Sequence, residues 1–149
     1  MILCEAALDA LTFWVNGIRN VTFIYGCQGF TDELLEELIR RRVQRVRLAY
    51  DADDAGNRAA IRDAERLAAQ GLDAYRVKFP HGMDANEYAL KVTPAAKSLQ
   101  TAVRCSEPMH VHAHAPSSSL AADLAANKKA ASIRVDPCAS VVPLPAGSL

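Results

Sequence analysis

The stretch RVRLAYDADDAGNRAA, residues 45–60, decides the fold. Arg45 to Tyr50 reads as a β-strand that runs into the acidic turn Asp51-Ala52-Asp53-Asp54-Ala55-Gly56. A helical pattern over 55–70 follows, with Ile61, Ala64, Leu67 and Ala68 expected inward and Gly71 as its C-cap. A strand that opens through a polar turn into an amphipathic helix is the repeating unit of an α/β domain.

Working outward, the same unit recurs. Ile2 to Cys4, Val21 to Tyr25 and Ala74 to Phe79 read as three more strands, so four are expected in all. The run VTFIY is continuously apolar, as expected of a strand covered on both faces. Between the strands lie helical patterns over 6–16 (with Leu8, Leu11, Phe13 and Val15) and 32–42, and a short one over 85–91. The second has Thr31 as N-cap, Asp32 and Glu33 in the first turn and Arg40, Arg41 and Arg42 in the last. Leu34, Leu35, Leu38 and Ile39 form its stripe, and Glu36–Arg40 and Glu37–Arg41 are favourable i,i+4 pairs. The alternation predicts a mostly parallel four-stranded sheet flanked by helices, in one domain over 1–105.

Beyond residue 105 the order signals fade. His110, His112 and His114 lead into Pro116 and three serines, and the end is rich in Ala, Ser and Pro. Residues 106–149 are expected to be a low-complexity, disordered tail, with LAADLAANKKAA (120–131) at most a lone marginal helix. The histidine run is an adventitious metal binder at most. Of the 149 residues, 17 are Lys or Arg and 17 Asp or Glu, so no net charge draws nucleic acid from a distance. Cys4, Cys27, Cys105 and Cys138 form no Cys-x-x-Cys pair, which argues against structural zinc. Cys4 and Cys27 sit in apolar runs and read as buried and reduced, which points to the cytoplasm. No run of about 18 apolar residues suggests a membrane span, and the N-terminus lacks signal-peptide features.

In an open parallel sheet, ligands bind beyond the carboxyl ends of the strands. Glu5 follows the first strand, Tyr25-Gly26-Cys27-Gln28-Gly29 the second, Asp51 to Gly56 the third, and Pro80-His81-Gly82-Met83-Asp84-Ala85-Asn86-Glu87 the fourth. Crowded carboxylates repel unless a cation joins them, and magnesium favours oxygen ligands. Asp51 and Asp53 can approach one ion, with Glu5 as general base or as a ligand through water. Each residue also has a plain structural reading. Asp53 or Asp54 can cap the helix near Ala55, and Asp84 the helix 85–91. Glu5 can be a solvated strand end, and Asp9 can serve its helix dipole or face the same rim. Arg58, Arg62 and Arg66 are spaced for contact with a nucleic-acid backbone, yet Asp63 and Glu65 among them suit a solvated face.

Together these residues resemble the TOPRIM domain shared by bacterial primases, topoisomerases and some nucleases, whose pattern is a glutamate after the first strand and Asp-x-Asp after the third. ILCEAALDAL is similar to the primase glutamate motif, with Asp9 as the acidic residue four on. YDADDAGNRAA is similar to the aspartate motif, and FPHGMDANEYAL to the third acidic segment, with Ala85 in place of its proline. The resemblance covers residues 1–92, and 93–104 extend it by a helix. It implies a Rossmann-like TOPRIM fold and magnesium, or manganese in its place, held for phosphoryl transfer. Carried over, Glu5, Asp51 and Asp53 are catalytic and, with Asp84, metal-binding. Asp9 and Asn86 are secondary, and Arg58 and Arg62 are candidates for nucleic-acid contact. The implied partners are a single-stranded DNA template and nucleotides, with a helicase or other replication protein beside them, and no membrane.

The sequence departs from a replicative primase in lacking a Cys/His zinc module, a preceding basic subdomain and a Gly-x-x-x-x-Gly-Lys-[Ser/Thr] loop. The expectation is therefore a stand-alone or truncated primase-like unit from a mobile element or phage. Primase-type nucleotidyl transfer in primer synthesis is the leading function. The alternatives are a TOPRIM nuclease and a non-catalytic module that binds nucleic acid or a replication partner. A topoisomerase is disfavoured because no domain with a nucleophilic tyrosine precedes the first strand.

Overall fold

A computed structural model describes residues 1–110 apart from Cys27. The elements run β1 (Ile2–Cys4), α1 (Ala7–Val15), β2 (Val21–Phe23), α2 (Asp32–Arg40), β3 (Arg45–Ala49), α3 (Asp54–Ala69), β4 (Asp73–Arg76), α4 (Ala85–Lys91), α5 (Ala95–Arg104) and β5 (Glu107–Pro108). The sheet order is β2-β1-β3-β4-β5. The first four strands are mutually parallel, and β5 pairs antiparallel to β4. The α/β class and the mostly parallel sheet are as the sequence implies, with one correction. The sheet has five strands, because the chain continues past residue 105 far enough for Arg76 to pair with Glu107 and for Met109 N–H to reach Ala74 O at 2.9 Å. The expected tail features at 112–149, including His112, His114, the helix over 120–131 and Cys138, lie outside the described residues, as does Cys27.

Side-chain alternation along the strands builds two apolar layers. Leu3, Val46, Leu48, Tyr50 and Ala74 face α2 and α3, and pack with Leu35, Leu38, Ala60, Ala64 and Leu67. Ile2, Cys4, Ala49 and Val77 face the other way and pack with Phe13, Ala89 and Leu99 of α1, α4 and α5. Helices on both faces explain why β1 is apolar without a break. The VTFIY run is the exception: β2 is an edge strand, its residues are half-buried, Ile24 is buried and Tyr25 is exposed.

The helix signals held at their caps. Thr31 accepts from Leu34 N–H at the start of α2. Gly71, with φ 74°, takes the left-handed turn just past the end of α3. Glu37 pairs with both Arg40 and Arg41, so the expected Glu36–Arg40 pair is replaced by an i,i+3 contact. Ile61 is 52% exposed rather than inward, because the buried face of α3 is carried by Ala60, Asp63, Ala64 and Leu67. Leu8, Leu11 and Val15 of α1 are likewise exposed, and Phe13 alone of that set is buried.

Asp63 is a fully buried carboxylate in this layer. Tyr50 Oη donates to its Oδ2 at 2.9 Å, and Arg62 Nε donates to its Oδ1 at 2.8 Å. Burial, followed by the Asp63 charge, holds the Tyr50 phenol well above its ordinary value. Tyr50→Phe removes one of these donors and is expected to cost about 1–3 kcal/mol. Ile61→Ala, at a solvated site, should stay within about 0.5 kcal/mol of the parent. Urea denaturation of both variants checks the pair.

Candidate acidic site

The site follows from strand register. Cys4 of β1 lies opposite Ala49 of β3 in a parallel ladder, so the residues that leave these two strands emerge side by side. Glu5, 8% exposed, comes within 3.5 Å of Asp51 N–H through Oε2. Gly26 N–H donates to Glu5 O at 3.1 Å, which ties the start of the β2 turn to the same edge.

The Asp51–Gly56 turn is held from several sides. Ala52 N–H donates to Met83 O at 3.1 Å and Gly82 N–H to Ala52 O at 2.9 Å, so the loops after β3 and β4 are laced together. Gly56 packs against the turn so closely that a Cβ would fall 2.4 Å from Asp51 O. Arg76, buried in β4, donates to Leu48 O at 3.2 Å, Tyr50 O at 2.8 Å and Asp51 O at 2.8 Å, and to Asn57 Oδ1 at 3.1 Å.

Asp53 and Asp84 are the N-caps of α3 and α4. Oδ1 of Asp53 accepts from Gly56 N–H, and Oδ1 of Asp84 from Glu87 N–H, both at 2.7 Å. Each cap engages one carboxylate oxygen, so capping and ion binding are compatible for both. Asp9 is 3% exposed, and its Oδ1 accepts from Asn86 N–H at 3.2 Å. The Asn86 carboxamide lies 3.2 Å from the Thr12 hydroxyl, which joins α4 to α1 behind the acidic rim.

The carboxylates sense one another. Asp51 is pushed up to about 6 by burial and then by the charges of Glu5, Asp84 and Asp53, with Arg76 opposing. Asp9 is also pushed up to about 6, by burial first and then by Asp84, while the Asn86 N–H bond opposes the shift. Residues 5, 9, 51, 53 and 84 therefore form one electrostatic group drawn from three separated segments. Among the described residues, no three His, Cys, Asp or Glu side chains converge into a ready-made cage. The donor set is all oxygen, and its mutual repulsion is the kind a divalent cation relieves. Magnesium commonly keeps several waters and takes only one or two carboxylates. The residues fit such a hydrated ion, with Asp51 and Asp53 nearest the open turn.

The arginine stripe divides. Arg62 is spoken for by Asp63, and Arg66 reaches back to Phe30 O and pairs with Asp32 at 2.5 Å, whereas Arg58 is exposed. Arg62 is thus a counter-ion of the buried Asp63, although its side chain is 42% exposed. Sequence reasoning missed Arg76. Its signal was an arginine two residues after inward Ala74 in an apolar strand, and so on the buried side of the sheet.

The sequence profile of the Toprim-like family matches residues 2–89. DNA primase of Staphylococcus aureus (strain COL) is 32% identical over 88 residues, 59% of this chain and 14% of the relative. DNA primase of Clostridium acetobutylicum is 32% identical over 91 residues, 61% of this chain and 15% of the relative. The chain thus spans about one seventh of the curated relatives it matches. Among solved structures, the zinc-binding and RNA polymerase domains of Aquifex aeolicus primase superpose with a TM-score of 0.62 at 27% identity, over 72% of this chain and 26% of that one. A DnaG primase catalytic domain bound to single-stranded DNA shares the fold, with a TM-score of 0.60 at 21% identity over 72% of this chain and 34% of that one.

A carboxyl whose folded pKa exceeds its unfolded value holds its proton more tightly when folded. It therefore favours folding at low pH, and that contribution is lost as pH rises from about 4 to about 6. Asp9→Asn removes one such group and keeps an acceptor for Asn86 N–H. Without divalent ions, the variant should gain stability over the parent as pH rises through this window. Urea midpoints measured from pH 4 to pH 7 test this, and a gap that stays constant would refute it.

Proposed function

This chain belongs to the Toprim-like family, and we propose that it is the metal-dependent core of a primase-type nucleotidyl transferase, acting on nucleotides along a single-stranded DNA template. The observation that carries the reading is the shared acidic rim: Glu5, Asp51, Asp53 and Asp84 couple electrostatically across three segments, in a chain 32% identical over 88 residues to a bacterial DNA primase.

In this reading Asp51 and Asp53 hold a magnesium ion, with manganese as a substitute. Asp84 and Glu5 complete the shell directly or through water. The bound ion would supply charge neutralisation at the transferring phosphate. Glu5, buried with Oε2 3.5 Å from Asp51 N, would accept the proton of an attacking hydroxyl. Asp9 carries the negative field further inward, and the Asn86 backbone N–H fixes its carboxylate. Asn86 therefore acts through its backbone and through its carboxamide contact with Thr12, on the inner side of the rim. Arg58, exposed on α3, is the basic residue of the stripe best able to meet a backbone phosphate. A helicase or another replication protein is the natural protein partner. The same carboxylates suit phosphodiester cleavage, so a nuclease remains the alternative within this chemistry.

A second reading is a module that binds nucleic acid or a replication partner without catalysis: Asp53 and Asp84 each cap a helix, a structural role that needs no ion.

A primer-synthesis and cleavage assay on single-stranded DNA, with nucleotides and magnesium, separates these readings. It should be run with the protein alone and with a replicative helicase added. Primer products are expected, and Glu5→Gln or the double change Asp51→Ala/Asp53→Ala should lower them by at least about 100-fold, the scale of a lost acid–base group. Cleavage without synthesis selects the nuclease. Neither product, together with DNA binding indifferent to magnesium, selects the non-catalytic module.

A further inference from the structure

The Arg76 side chain is buried in β4, directly beneath the acidic turn, and its terminal nitrogens are all committed inward. One takes Leu48 O and Tyr50 O, and the other takes Asp51 O and Asn57 Oδ1. The three carbonyls come from Leu48 near the end of β3 and from Tyr50 and Asp51 just beyond it, and Asn57 stands one residue past Gly56 in the first turns of α3. A single planar group therefore spans the strand end, the turn and the helix start on either side of Asp51 and Asp53. The acidic turn gains this support from a neighbouring strand, although its carboxylates repel each other.

We propose that Arg76 is the positioning residue of the acidic site, fixing the backbone that carries Asp51 and Asp53 in an ion-receiving arrangement before any cation arrives. The inference rests on the metal-binding reading above and deepens it. A guanidinium suits the task because its fork serves four acceptors in one plane, which an ammonium cannot do. The charge and the geometry of Arg76 act on metal affinity in opposite directions. As a nearby cation it repels a divalent ion, so its removal should tighten binding by electrostatics alone. As a clamp it preorganises the ligands, so its removal should weaken binding.

A cavity of about 260 Å³, lined by Ala52, Asn57, Arg76, Lys78, Phe79 and His81, opens beside the guanidinium. Water entering there can hydrate the freed carbonyls when residue 76 is shortened, so a variant there is expected to fold. Asn57 is exposed and is a milder site for substitution.

The test measures magnesium and manganese affinity by calorimetry, and amide hydrogen exchange over residues 51–56 in the metal-free protein. The proteins are the parent, Arg76→Met, Arg76→Lys and Asn57→Ala. Arg76→Met and Arg76→Lys should both bind about 10- to 100-fold more weakly, the usual effect of losing a supporting contact behind a metal ligand. Asn57→Ala should weaken binding in the same direction by less, and exchange over 51–56 should quicken in all three. Unchanged or tighter binding by Arg76→Met, or full affinity in Arg76→Lys, overturns the clamp and leaves only a charge effect. Should Arg76→Met fail to fold, Arg76→Lys and Asn57→Ala decide the matter by the same readings. A parent protein that binds neither ion overturns the metal-binding reading itself, and the clamp with it. That outcome is distinct from loss of affinity confined to the variants.

Discussion

The parallel register between β1 and β3 is the constraint on which the site depends. Cys4 faces Ala49 across the ladder, so Glu5 and Asp51 leave the sheet at the same edge, and Oε2 of one meets the N–H of the other. A shift of one residue would turn every side chain of β1 over, sending Leu3 into the α1 layer and Ile2 and Cys4 into the α2–α3 layer. Both layers are apolar, so it is the fit of these particular side chains among their neighbours, more than hydropathy, that resists the slip. The packing of Leu3 on one face and Cys4 on the other thus fixes the place of a carboxylate that packs in neither layer. Apolar burial is the source of the precision, and the acidic group benefits from it.

That precision brings like charges together, which raises the free energy of the cation-free fold. The structure offsets the cost locally. Asp53 and Asp84 each cap a helix, so part of their charge is met by backbone N–H groups at a helix start. Asp9 receives one N–H from Asn86, and Asp51 has Arg76 behind it. For Asp53 and Asp84 the cap engages one carboxylate oxygen, so capping does not exclude ion binding by the same group.

What the sequence made legible follows from how local each signal was. The strand–turn–helix at 45–60, the Thr31 cap and the left-handed glycine at 71 are set within a few residues, and they appear nearly as read. The acidic positions were legible because parallel topology sends all strand ends to one rim. Other features depend on partners distant in sequence. VTFIY is apolar throughout, yet β2 is an edge, which only the strand order decides. Glu107 pairs with Arg76 across some thirty residues of intervening chain, a partner that composition alone does not reveal. Ile61 faces water while Asp63, held by Tyr50, is buried on α3, the reverse of what hydropathy would assign.

The arginines show the same division between charge and role. Arg40, Arg41, Arg45, Arg62 and Arg66 each pair with a carboxylate, as do Lys78 and Lys91, and Arg76 is turned inward. Basic side chains are thus largely tied to the fold, in a chain whose charges balance. The rim where a phosphate must approach is acidic. In the proposed function, Arg58 offers α3 an exposed basic contact, and a divalent ion at Asp51 and Asp53 would reverse the sign of the local field at the rim. Under that reading ion binding and nucleic-acid binding would be linked steps, and a clamp at Arg76 would also govern how readily a phosphate can follow.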